Sequence, residues 1–181
     1  MVFTGAEDIA ARILEEGKNP GLGVRDLHAQ GITGKVVNVA IIDQNLLGDH
    51  PEYINRIAAY YDSGCERPEN EGSYHAPSVL SILAGETVGV APGARVYYAA
   101  APSWKMDAAY KADCLYWIIE QNRALPENEK IRLVSVSSAP ENGWYINGEL
   151  WAVLFQSCWE DDNGVKFVDP IAFIEAVSIA P

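Results

Sequence analysis

Two residue types that can do chemistry together stand at telling places in this sequence. Asp43 closes the apolar run Val39-Ala40-Ile41-Ile42, and His75 stands just ahead of Ala76-Pro77-Ser78-Val79-Leu80-Ser81-Ile82-Leu83-Ala84-Gly85. A carboxylate bonded to one imidazole nitrogen fixes the tautomer and leaves the other nitrogen as a base. By spacing alone Asp43 could equally be a turn former, and His75 a structural histidine. Ser73 and Ser78 flank His75 without the glycines of a nucleophile elbow. Asp49, His50 and Glu52 fall short of the three or four convergent donors of a metal site, so a polar turn before Pro51 is the plainer reading. Cys65, in a polar loop, reads as an incidental surface thiol. The stretch 89–93 lacks the Lys-Ser/Thr pair of a phosphate loop and leads into a strand. No cofactor and no metal are expected. The acidic run 160–162 reads as solvated surface, and the aromatic residues between Trp104 and Trp159 as core and crevice lining.

The elements that must position Asp43 and His75 follow from periodicity and turn chemistry. Thr4 and Glu7 have capping-box spacing before a helix over 6–16 that Gly17 closes. A short helical piece spans 24–30. The run 36–42 is β-branched and apolar on both faces, as a buried parallel strand requires. A weaker strand over 56–61, a polar loop over 62–72 and a helix over 76–84 come next. The connection 89–94 enters a strand over 95–101, and 106–123 is helical on the stripe Ala109, Ala112, Tyr116 and Ile119. A buried strand over 131–136, a helix over 149–159, a short strand over 165–168 and an apolar helix from Pro170 complete the chain. This alternation predicts an α/β fold: one domain over 1–181, with a mostly parallel sheet and helices on both faces. In such sheets the functional crevice lies beyond the carboxyl ends of the strands, where Asp43 sits and His75 can reach.

Bulk properties narrow the function classes. A chain of 181 residues with formal charge −12 is long enough for a proper core and repels nucleic acid and anionic membrane alike. No apolar run approaches the roughly 20 residues that span a bilayer, and the first residues lack the pattern of a signal peptide. The three cysteines, Cys65, Cys114 and Cys158, are odd in number and widely spaced, which argues against a disulfide framework. The expected setting is the cytoplasm, although a sequence trimmed of its export signal would look the same.

Several segments together resemble the subtilisin-like serine peptidases, or subtilases. Residues 31–43, Gly31-Ile32-Thr33-Gly34 through Ile41-Ile42-Asp43, look like the family's approach to its catalytic aspartate, and His50-Pro51-Glu52 like the motif that follows it. Gly72-Ser73-Tyr74-His75 stands where the family has His-Gly-Thr-His. Gly89-Val90-Ala91-Pro92-Gly93-Ala94-Arg95-Val96-Tyr97 is the nearest match, and Leu133-Val134-Ser135-Val136-Ser137 resembles the strand that ends in a wall of the substrate cleft. The resemblance implies a subtilisin-like fold with Asp43 orienting His75 as general base. It also implies a specificity pocket lined by Ser137, Ser138 and Ala139. A strand running from Ala99 through Ala101 and Ser103 toward Trp104 would pair with an extended peptide or protein substrate.

The departures are as specific as the matches. Gln44-Asn45 replaces the usual Thr/Ser-Gly, and Ala76-Pro77-Ser78 the usual Val-Ala-Gly. Ala139 stands where a glycine is usual, and Asp169 near the place of the oxyanion-hole asparagine, where a carboxylate would oppose a developing oxyanion. The nucleophile motif Gly-Thr-Ser-Met/X-Ala does not occur within residues 1–181. Three functional readings therefore stand. One is the Asp/His portion of a serine endopeptidase whose serine lies outside these residues. The second is a catalytically inactive subtilase-like module that binds peptides or proteins. The third is a subtilase-like domain kept for structural or regulatory reasons, with Asp43 and His75 as relics. Unless the apolar segment 170–180 covers the sheet, a second chain or self-association is expected to complete the fold.

Overall fold

A computed structural model describes residues 4–19, 21–66, 72–137, 146–147 and, as backbone, 166–168. The expected helices over 149–159 and from Pro170, and the residues Ser138, Ala139 and Asp169, lie outside the described residues.

The sheet is built on β1 (Asn38–Asp43), all six of whose residues are buried. Its neighbours are β3 (Arg95–Ala100) on one side and β4 (Ile131–Val136) on the other. Strand β2 (Ile57–Asp62) flanks β3, and β5 (Lys166–Val168) flanks β4. The order is β2-β3-β1-β4-β5 and every pairing is parallel. The fold is α/β, as the alternating pattern predicts.

Period-two alternation along β1 and β3 divides the core between the two sheet faces. Val39, Ile41, Val96, Tyr98 and Ala100 turn to one face, where Ala76, Leu80 and Ala84 of α3 (His75–Ala84) cover them. Ala40, Ile42, Tyr97 and Ala99 turn to the other, against Cys114, Leu115 and Ile118 of α4 (Ala109–Ala124). Each fully buried Ile or Leu here contributes on the order of 1.5–3 kcal/mol. The helices α1 (Glu7–Gly17) and α2 (Val24–Ala29) bury no residue and lie outside this core.

Three local expectations are corrected. The helix α1 starts at Glu7 with Ala6 as its N-cap and no side-chain cap, so Thr4 lies outside it; the Glu7 carboxylate accepts from the Gly5 N–H at 3.1 Å. The helix expected from Met106 starts at Ala109, because Met106 adopts a left-handed conformation (φ 50°) and the Asp107 carboxylate accepts from the Ala109 N–H. Its buried residues are Lys111, Ala112, Cys114, Leu115, Ile118 and Asn122, so Ala112 of the expected stripe is buried whereas Tyr116 is exposed. The two polar residues among them hide the inward stripe from a hydropathy reading. Asn122 is accommodated because its Oδ1 accepts from the Ile131 N–H at 2.7 Å, which ties α4 to β4.

Candidate active site

The crossovers into β3 and β4 run over opposite faces of the sheet, which leaves a crevice above the carboxyl end of β1. Asp43 is the last residue of β1 and His75 the first of α3. His75 Nδ1 lies 2.8 Å from Asp43 Oδ1. The Asp43 side chain is buried, while 41% of the His75 side chain is open. With Nδ1 committed to the carboxylate, Nε2 is the ring nitrogen left for proton transfer.

Backbone and hydroxyl contacts hold the pair. Asp43 is locked in the sheet through its carbonyl, which accepts from the Ala101 N–H at 2.7 Å. Its Oδ1 also accepts from the Gln44 N–H at 2.7 Å, and its Oδ2 is buried without a hydrogen bond among the described residues. Ser73 N–H donates to the Asn45 carbonyl at 3.0 Å, bringing the entry to α3 against the exit from β1. Ser73 Oγ accepts from the Ala76 N–H, satisfying one of the free donors of the first turn of α3. Tyr98 from β3 donates its hydroxyl to the Gln44 carbonyl at 2.6 Å. Burial pushes the Asp43 carboxyl above its usual range, against the Gln44 and His75 hydrogen bonds and the attraction of His75 and Lys111.

A cleft of about 220 Å³ opens over the pair, lined by Ile42, Asp43, Gln44, Tyr74, His75, Ala101, Ser103, Lys111 and Ser137. Of the residues singled out in the sequence, Asp43, His75, Ala101, Ser103 and Ser137 therefore share one cavity. The chain beyond β3 departs from the expectation. Ser103–Lys105 is a 3-10 turn followed by left-handed Met106, so no strand extends toward Trp104. The Ser103 hydroxyl accepts from the Gln44 side-chain amide at 2.5 Å, which helps close the turn over the site.

The remaining candidates are occupied elsewhere. Ser78 donates to the Tyr74 carbonyl within α3. Glu52 accepts from the N–H and hydroxyl of Thr87, and His50 Nδ1 accepts from the Glu52 N–H. Among the described residues no group of three or more His, Cys, Asp or Glu could hold a metal ion. Cys65 is not a surface thiol: it is 3% exposed, and burial raises its pKa to about 12, because the loop folds its thiol into the core beneath α3. Cys114 is also a free, buried thiol.

Sequence reasoning missed Gln44, Tyr74 and Lys111 as cleft residues. For Lys111 a signal existed, since it stands four residues before Leu115 on the inward stripe of α4. Gln44 was noted only as a departure from the family pattern.

Subtilisin E of Bacillus subtilis (strain 168) is 36% identical to this chain over 76 residues, which are 39% of this chain and 20% of that protein. Subtilisin of Bacillus pumilus is 34% identical over 76 residues, 39% of this chain and 28% of that protein. Over those 76 residues the chain is similar to subtilisins. No family model matches it. Two solved structures share the fold of this chain over 81% of its length. One is the prenylagaramide maturation protease PagA, with TM-score 0.53, 17% identity and 49% of that chain covered. The other is the PatG macrocyclase in complex with peptide, with TM-score 0.55, 13% identity and 54% of that chain covered. The chain thus spans under a third of these curated relatives and about half of these structures.

Proposed function

We propose that this chain supplies the Asp–His portion of a serine-type site that cleaves peptide bonds. The observation that carries the reading is the 2.8 Å contact between His75 Nδ1 and Asp43 Oδ1 at the mouth of an open cleft. In the reaction a serine hydroxyl from outside residues 1–181 attacks the peptide carbonyl and passes its proton to His75 Nε2. The tetrahedral intermediate then expels the amine, which takes that proton, and water releases the acyl group by the same route. Asp43 orients the ring and stabilises the imidazolium. Ala101, Ser103 and Ser137 border the substrate, together with Ser138 and Ala139, and a peptide or protein is the substrate class.

The test uses a polypeptide that contains these residues together with a Gly-Thr-Ser-X-Ala segment, in one chain or two. A serine-directed fluorophosphonate is expected to label it, and His75→Ala to slow labelling by on the order of 10³-fold or more. Labelling that survives His75→Ala overturns the role of His75. No labelling of the assembled protein favours the inactive, peptide-binding reading. The 181-residue chain by itself is expected not to hydrolyse peptides.

A further inference from the structure

Lys111 is 3% exposed in the first turn of α4, and its side chain lines the same cleft as Asp43 and His75. The rest of that helix face is apolar, apart from Asn122, which is bonded to β4. A buried ammonium is expensive, and an aliphatic residue would fill this position at less cost. The same cleft holds a second buried charge, Asp43, with one carboxylate oxygen bonded to Gln44 and His75 and the other without a hydrogen bond among the described residues. A carboxylate so placed needs a positive partner to stay ionised. Protonated His75 would serve, but a general base must begin neutral.

We propose that Lys111 is the counter-cation of the Asp43–His75 pair, keeping Asp43 charged while His75 is neutral and so holding the His75 ring with Nδ1 toward the carboxylate. Lys111 is a positioning residue: it acts through Asp43 and takes no part in bond making. The attraction runs both ways. Burial pushes the Lys111 ammonium down to about 8, Asp43 works against that, and Lys111 in turn lowers Asp43. Among the described residues, the titratable groups facing this pair include His75 at the start of α3, Tyr98 on β3, and Cys114 one turn along α4, whose thiol burial raises to about 12. The inference rests on the proposed roles of Asp43 and His75, but its test reads the pair directly, so a failed peptidase test and a failed counter-cation are distinguishable.

The experiment is a site-resolved NMR titration of the 181-residue chain, following the lysine Nζ and aspartate carboxyl signals. Lys111 is expected to lose its proton with a midpoint near 8, and Asp43→Asn to move that midpoint lower. Lys111→Met is expected to move the Asp43 midpoint higher, and Lys111→Arg to bring it back. A Lys111 midpoint that Asp43→Asn leaves in place, or an Asp43 midpoint indifferent to Lys111→Met, overturns the proposal, in variants whose amide spectra show the native fold.

Discussion

Asp43 is asked to be buried and charged at once, and the residues around it are the physical answer to that conflict. Burial favours its neutral form, while the Gln44 N–H, His75 and Lys111 favour the carboxylate. Lys111 carries the same conflict with the opposite sign. Its proton is held more weakly in the folded chain, at about 8, than at the ordinary 10.5 of an exposed lysine. Between those values Lys111 is more fully protonated in the unfolded chain, so its contribution to stability rises with pH across that window. Relative to Lys111→Met, the native chain is expected to gain about 3 kcal/mol between pH 8 and 10.5. Urea unfolding of both proteins at stepped pH measures this, and parallel curves would contradict it. The thiols of Cys65 and Cys114, raised from 9.0 to about 12, and the Tyr53, Tyr60 and Tyr61 hydroxyls, raised from 10.0 to about 12, act in the opposite sense from the upper part of this window onward, and the comparison with Lys111→Met removes their common contribution.

The elements make the site by where they end. Strand β1 delivers Asp43 at its carboxyl end, and α3 delivers His75 at its first residue. The joint between them is tight at Gly72, where an added Cβ would fall 2.4 Å from the Leu47 backbone nitrogen. Gly72→Ala is therefore expected to destabilise the chain by about 1–3 kcal/mol. Because Ser73 and His75 follow directly, it is also expected to part His75 from Asp43. Loss of the low-field Nδ1–H proton signal would report the second effect, and an unchanged signal would refute it. Strand β1 was legible because the run Val39-Ala40-Ile41-Ile42 leaves no polar face to expose, whereas β4, also expected to be buried, exposes Arg132. The inward stripe of α4 was not legible, since Lys111 and Asn122 interrupt it and are tolerated only through partners on other elements. The turn after β3 was misread because the bond from the Gln44 amide to the Ser103 hydroxyl draws the chain into a 3-10 turn.

Burial among the described residues is concentrated in the sheet and in the two helices that cover it. Hydrogen exchange is expected to be slowest in β1 and β3, each bonded on both sides, and fastest in α1, which buries nothing and exposes Ile9, Ile13 and Leu14. Protection of α1 equal to that of β1, read by mass spectrometry, would contradict this. Among the described residues no helix is long and apolar enough to cross a membrane. The sequence by itself determined the order of strands and helices, the positions of Asp43 at a strand end and His75 at a helix start, and the likeness to subtilisins. Those properties are local, set by periodicity, turn residues and short motifs. Only the tertiary structure decided that Asp43 and His75 meet at 2.8 Å, that Cys65 is buried, and that Lys111 shares their cleft. Each of these depends on parallel crossovers bringing distant segments together, and on the solvent exclusion that follows, neither of which a residue's own neighbours encode.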